Sequence, residues 1–295
     1  MVASQGIRTG PQDVAFLTDL GTYGSLSTED ACDYYPEHRL NSVYKRLRLL
    51  AANGLTRATK LEVWKPSQSA TTNGGRIPTL HTLTDEGARL VELETGERPL
   101  RVLRSRPSAM TFYHRRQIVR VMRALDQAAD AVGLMRPQWV MEQDVWHASP
   151  KSLPPNQRRL LYHDLGNGLI CQPDLACRFR INETELMLLW EIDLSSEGKK
   201  QLRKASKTDS YVALIHRREY RRYWPDLETN RNHVVWVTPS RRRFASLKEV
   251  LGQHPLAPVC RLLSAESLTD PETLLTSPVW ETVDGQPRAM YRPSA

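Results

Sequence analysis

Three carboxylates stand where a β-hairpin would gather them. Pro173-Asp174 opens a strand read over 173–181, and Trp190-Glu191-Ile192-Asp193 closes the segment LMLLWEIDL at 186–194. A strand's period of two puts Glu191 and Asp193 on one face, and antiparallel pairing through the turn at 182–185 sets Asp174 alongside them. Acids converging on an otherwise apolar hairpin repel one another unless a cation or a basic side chain sits among them. A Mg²⁺ or Mn²⁺ ion held there would activate water and polarise a scissile phosphate. The helix expected over about 197–215 aligns Lys200, Lys204, Lys207 and Tyr211 at spacings of four, three and four, so one face offers ammonium groups and a phenol to the same place. A salt-bridge cluster between Asp174, Glu191 and that lysine face would use the same residues without a metal. Glu142, on a strand read at 138–145, and His114, on a long helix read at 109–133, are weaker additions, because a lone acid or histidine is more often surface or satisfied core.

A second set of residues suits recognition rather than catalysis. In RLNSVYKRLRLLAANG the apolar Leu40, Val43, Leu47 and Leu50 line one face of a helix, and Asn53-Gly54 supplies its stop. Arg39, Asn41, Ser42 and Lys45, with Tyr44 partly exposed, would then reach base edges in a major groove, and Arg48 would meet phosphate. Two short helices precede it, at 11–22 and from a cap at Ser27 to before Pro36, and two strands follow, Leu55 to Trp64 and Ile77 to Leu83. The polar connection between these strands carries Lys65 and Arg76, placed to touch backbone or minor groove. Thr84 caps a closing helix. Three helices, a hairpin and a closing helix is the order of a winged helix-turn-helix.

The 295 residues allow two domains. The Arg- and Pro-rich stretch at 98–108 marks the boundary, with a DNA-binding domain at 1–97 and a second domain at 109–295. Strands and helices alternate in the second part, so it reads as an α/β sandwich with a mixed sheet, and the whole chain as α+β / α/β. Forty-one Lys and Arg against thirty-three Asp and Glu give a net charge of +8, which favours polyanionic partners. No apolar run approaches the roughly 18 to 20 residues of a membrane span, and the start lacks a signal-peptide pattern. Four scattered cysteines make no disulfide framework or zinc site, so the expectation is reduced thiols in a cytoplasmic protein, with Cys177 in the core.

These motifs resemble, in order, those of the replication-relaxation family of plasmids and other mobile elements. VYKRLRLLAANGLTRA and LHTLTDEGARLV carry the winged-helix half, and TFYHRRQIVRVM, WVMEQDVW, QPDLACRF, LLWEIDLSSEG, KASKTDSY and HVVWVTPSRRR the second half, over roughly residues 11 to 264. The second half also resembles the PD-(D/E)xK nuclease fold, a restriction-endonuclease-like architecture. The resemblance implies Asp174 as the first acid and Glu191 as the second; if the domain cuts, these two together with Asp193, which the strand's period sets beside them, would hold the metal. It also implies a lysine where this chain has Asp193. Lys207 would replace that lysine, Lys207-x-x-x-Tyr211 being similar to the Gln-x-x-x-Tyr motif of RecB-type nucleases, and His114 would stand at the helix histidine of those enzymes. The expected function is a DNA-binding protein of a mobile element whose nuclease-like domain makes metal-dependent cuts in double-stranded DNA. Replication or mobilisation proteins and a second copy of the chain are its further expected partners. The rivals are a non-catalytic replication or relaxosome accessory factor, a transcriptional regulator with a degenerate nuclease fold, and a ligand-sensing regulator.

Overall fold

Proline at the first position of helix α1 (Pro11–Tyr23) needs no partner for a missing N–H, and the Asp13 carboxylate accepts from the Gly10 N–H at 2.8 Å, which caps the first turn. The computed structural model describes residues 7–60, 79–102, 112–146, 148–193, 205–229, 231–239 and 241–292. The chain divides into two compact units, 1–119 and 120–295. Of the segment read as a linker, 103–108 lie outside the described residues.

In the first unit, Phe16 joins Leu17 and Leu20 in the core, while Val14, which the three-residue spacing Val14, Leu17, Leu20 places on the same face, is only half-buried. Strand β1 (Leu26–Ser27) is followed by helix α2 (Thr28–Ala31), which begins with the capping box expected at Ser27. The Asp30 N–H donates to the Ser27 hydroxyl at 3.1 Å and the Ser27 N–H to the Asp30 carboxylate at 2.8 Å. Helix α3 (Leu40–Ala52) buries Val43, Leu47 and Leu50 and stops at Gly54, whose φ of +73° is cheap for glycine. Leu40, placed by its spacing on the buried face, is instead half exposed in the first turn, before the helix meets its neighbours. Strands β2 (Thr56–Thr59) and β3 (Leu80–Leu83) are antiparallel, and β1 joins the far side of β3, giving the order β1-β3-β2. Residues 61–78 between β2 and β3, with Lys65 and Arg76, lie outside the described residues. Helix α4 (Asp85–Thr95) opens as expected, the Gly87 N–H donating to the Thr84 hydroxyl at 3.0 Å.

Helix α5 (Phe112–Ala131) buries Ile118, Met122, Leu125 and Ala129, four positions of an apolar stripe that the spacing extends to Val132, which is only half-buried just past the helix end, and Val121 and Ala128 besides. There follow β4 (Gln138–Met141), a small hairpin of β5 (His163–Asp164) and β6 (Ile170–Cys171), then β7 (Leu175–Ile181) and β8 (Thr184–Ile192). Helix α6 (Ala205–His216), β9 (Asn232–Thr238), α7 (Arg241–Leu251), β10 (Cys260–Ser264), α8 (Pro271–Leu274), β11 (Trp280–Glu281) and β12 (Pro287–Arg288) complete the second unit. Seven strands form one mixed sheet in the order β12-β11-β10-β9-β8-β7-β4. Strands β7 and β8 are antiparallel through the turn at Asn182, whereas β8, β9 and β10 run parallel and need crossovers, which contain α6 and α7. Tyr211 and Leu214 of α6 and Phe244, Leu247 and Leu251 of α7 join Met187, Leu189, Val234 and Trp236 in one core cluster. On the other face Trp190 packs against Trp139 on one side and edge-on against Trp280 on the other, and Asp126 of α5 accepts from the Trp139 indole at 2.8 Å. The result is mixed α/β with a large mixed sheet. Cys171, Cys177 and Cys260 are buried, and all four cysteines are free thiols. Among the described residues no helix is long and apolar enough to cross a membrane.

Candidate functional site

The β7–β8 ladder sets the site. Leu175 pairs with Trp190, so Asp174 and Glu191 fall opposite each other one step beyond, where the hairpin leads into β8's C-terminal end. The Asp174 N–H donates to the Trp190 carbonyl at 3.0 Å, and its carboxylate accepts from the Ile192 N–H at 2.7 Å. Glu191 is 4% exposed and shares its sheet face with α6. From that helix Lys207 Nζ lies 2.8 Å from Glu191 Oε2, and the Tyr211 hydroxyl donates to Oε1. The four-residue spacing on α6 therefore puts both side chains on one carboxylate. Lys207 also stands over the Trp236 ring of β9, 5.2 Å from its centroid.

Burial, and then the neighbouring Asp174 charge, pushes Glu191 up to about 7, against the opposing pull of Lys207 and Tyr211. Burial holds the Tyr211 phenol well above its ordinary range and raises Cys171, beside it, to about 12. Gly168, Ile170, Gln172, Glu191, Lys207, Ser210 and Tyr211 line an open cleft of about 300 Å³.

The third carboxylate does not join the cluster expected of it. Asp193 lies just past the end of β8, its N–H bonded to the Val237 carbonyl at 2.9 Å, and its carboxylate is taken by Arg243 of α7 in a buried ion pair. Among the described residues no group of three or more His, Cys, Asp and Glu is placed to hold a metal ion. The convergence of three acids is thereby corrected to a pair, Asp174 and Glu191, with one lysine. Lys200 and Lys204 lie outside the described residues. Glu142 is half-buried in the turn after β4, and His114 is half-buried on α5 in the first unit. Arg243 and the cleft residues Gln172 and Ser210 were not singled out in the sequence, although QPD and SRRR contain two of them.

In the first unit Arg39, Asn41, Ser42, Tyr44, Lys45 and Arg48 are all exposed on or beside α3. Arg46 turns inward instead. Its Nε donates to Asp13 at 2.8 Å, and the Tyr35 hydroxyl donates to the same carboxylate at 2.8 Å. Burial alone would raise Asp13, but hydrogen bonds from Arg46, Gly10 and Tyr35 outweigh it and hold the carboxyl below its ordinary value.

Among the solved structures similar to this chain are two of the restriction endonuclease FokI. The first is 12% identical, covers 89% of this chain and 43% of its own and has a TM-score of 0.28. The second, FokI bound to DNA, is 12% identical, covers 92% and 46% and has a TM-score of 0.30. The chain thus spans less than half the length of the FokI chains it matches. No family model matches it, the replication-relaxation family included, and no curated protein does.

Proposed function

We propose that the chain binds double-stranded DNA through a winged helix in its first unit and cuts it with a metal-dependent, nuclease-like second unit. The observation that carries this reading is the buried Glu191 with Lys207 at 2.8 Å and Asp174 across the ladder. Glu191 lines the cleft and Asp174 stands opposite it one step beyond the ladder, and Mg²⁺ is commonly held by one or two carboxylates together with substrate phosphate oxygens. The fit is therefore to Asp174 and Glu191, and a bound divalent cation would supply Lewis-acid polarisation of the phosphate and an activated water. Lys207 keeps an ammonium at that carboxylate, where it can orient a water or offset phosphate charge. Trp236 holds the lysine head and Tyr211 fixes the Glu191 rotamer. Asp193, closed by Arg243, ties β8 to α7.

The order α1, β1, α2, α3, β2, β3, α4 and the sheet order β1-β3-β2 support a winged helix in the first unit, with α3 as the element that enters the groove. The setting we infer, replication or mobilisation of a plasmid-type element in the cytoplasm, follows from the order of the sequence motifs.

A second reading has its own support. Both oxygens of Glu191 are already engaged, by Lys207 and Tyr211, as they would be in a non-catalytic accessory factor that keeps the fold for its surface. Incubating the protein with supercoiled DNA and Mg²⁺ or Mn²⁺, beside Asp174→Asn/Glu191→Gln and a parallel binding assay, separates the two. Metal-dependent nicking that the double variant loses supports the nuclease. Tight binding without cleavage moves the assignment to the accessory factor.

A further inference from the structure

A second pocket opens on the opposite face of the large sheet. Leu186, Arg231, His233, Arg261, Trp280, Arg288, Ala289 and Met290 line about 260 Å³, below the roughly 300 to 1,000 Å³ of drug-sized ligand sites. Leu188 pairs with His233 and Val235 with Arg261, so these side chains sit away from α6 and Glu191. The polar lining is three guanidiniums and one imidazole, and no carboxylate contributes to it.

Arg261 is half-buried. Its guanidinium donates to the Pro258 carbonyl at 3.1 Å and to its neighbour Cys260's carbonyl at 2.7 Å. Burial draws it below the ordinary arginine value, and Arg288 pushes the same way. Arg261 and Arg231 both act on His233, which burial carries down to about 4 and which bonds the Val259 backbone. Asp284, whose charge acts on Arg261 and feels that of Arg288, is exposed, and its Oδ1 accepts from the Thr282 hydroxyl. Among the described residues none of the three arginines forms an ion pair with it. Partly desolvated like charges held together are costly without a counter-ion.

The imidazole adds chemical detail. His233 Nδ1 is buried with no hydrogen-bond partner among the described residues. A neutral imidazole keeps one ring nitrogen as an acceptor, and Nδ1 is the one without a partner among the described residues. The occupant should therefore present oxyanions to arginine and one O–H to a nitrogen.

We propose that the pocket of Arg231, His233, Arg261 and Arg288 binds a phosphate monoester, with oxyanions on the guanidiniums and a P–O–H or adjoining hydroxyl donating to His233 Nδ1. Arginine forks match phosphate geometry, and the small volume admits the phosphate rather than a whole drug-sized molecule. Phosphate can come from a free nucleotide or from the 5′ end of a nucleic-acid strand, and both present the same group.

Calorimetric titration of the full chain at about pH 6.5, near the second ionisation of a phosphate monoester, with inorganic phosphate, sulfate and thymidine 5′-monophosphate tests this. Phosphate should bind more tightly than sulfate, which has no O–H to give. Arg231→Gln/Arg288→Gln, two exposed changes, should lower phosphate affinity by about tenfold or more. His233→Ala should erase the preference over sulfate while its thermal melt reports on folding. Equal, weak binding of phosphate and sulfate, or phosphate binding unchanged in the double arginine variant, would overturn the site. A 5′-phosphorylated oligonucleotide that binds more tightly than its 5′-hydroxyl twin, with the difference lost in the arginine variant, assigns the phosphate to a strand end. No difference between the twins, with thymidine monophosphate bound, assigns it to a free nucleotide.

Discussion

Glu191 pulls stability and function in different directions. Its carboxyl titrates at about 7 in the folded chain against an ordinary 4.5, so between those values the folded state keeps a proton that the unfolded state releases. Stability from this residue is fully present below about pH 4.5, falls as pH rises and is lost above about 7. Glu191→Gln should therefore gain on the parent at pH 8 relative to pH 5, by a few degrees in Tm at about 2–4 °C per kcal/mol. An equal Tm difference at both pH values would remove Glu191 as the titrating group. Asp13 presents the opposite case. It is buried under Arg46 and Tyr35, so Asp13→Ala leaves a guanidinium and a phenol without their acceptor and should destabilise the first unit by about 3 kcal/mol, read by chemical denaturation. The Glu191–Lys207 meeting was legible beforehand because strand and helix periods each fix a face. The Asp193–Arg243 pair was not, because fifty residues and a crossover separate its partners and no local period relates them.

At the level of elements, capping chemistry foretold more than apolar spacing. Ser27, Thr84 and Gly54 acted where their types require. Strands β1, β11 and β12, two residues each, are too short to show alternation, and they were missed. Helix α4 lies against the start of β2 so closely that a Cβ on Gly87 would stand 2.1 Å from the Leu55 carbonyl oxygen. Gly87→Ala should cost roughly 1–3 kcal/mol or more by overpacking, despite alanine's better helix propensity, and a variant as stable as the parent would refute the close approach. For α3, Arg39→Ala and Lys45→Ala should weaken binding to duplex DNA. A side chain that meets phosphate should, on removal, reduce the salt slope by about 1, whereas one that reads a base should cost more on cognate than on random sequence. Unchanged affinity on both would take α3 out of the interface.

For the molecule as a whole, the excess of +8 would give the proposed association with DNA an electrostatic character. With several phosphates neutralised, log affinity should fall with log salt at a slope steeper than about −3, measured by fluorescence anisotropy from about 50 to 300 mM salt. A flat profile would point to a protein partner. Composition and charge pointed to a polyanionic partner, and the alternation of elements made the mixed α/β second unit legible. The sheet's extension past β10 was not, since Trp280 and Pro287 carry no strand pattern of their own.

That extension also governs how copies of the chain can meet. One border of the large sheet is β12, two residues long, and one of them is Pro287, which has no N–H to give an incoming strand, while the other is the charged Arg288. A border this short and poor in donors is a bad template for strand addition. Fibre-like growth from it is discouraged by backbone chemistry alone.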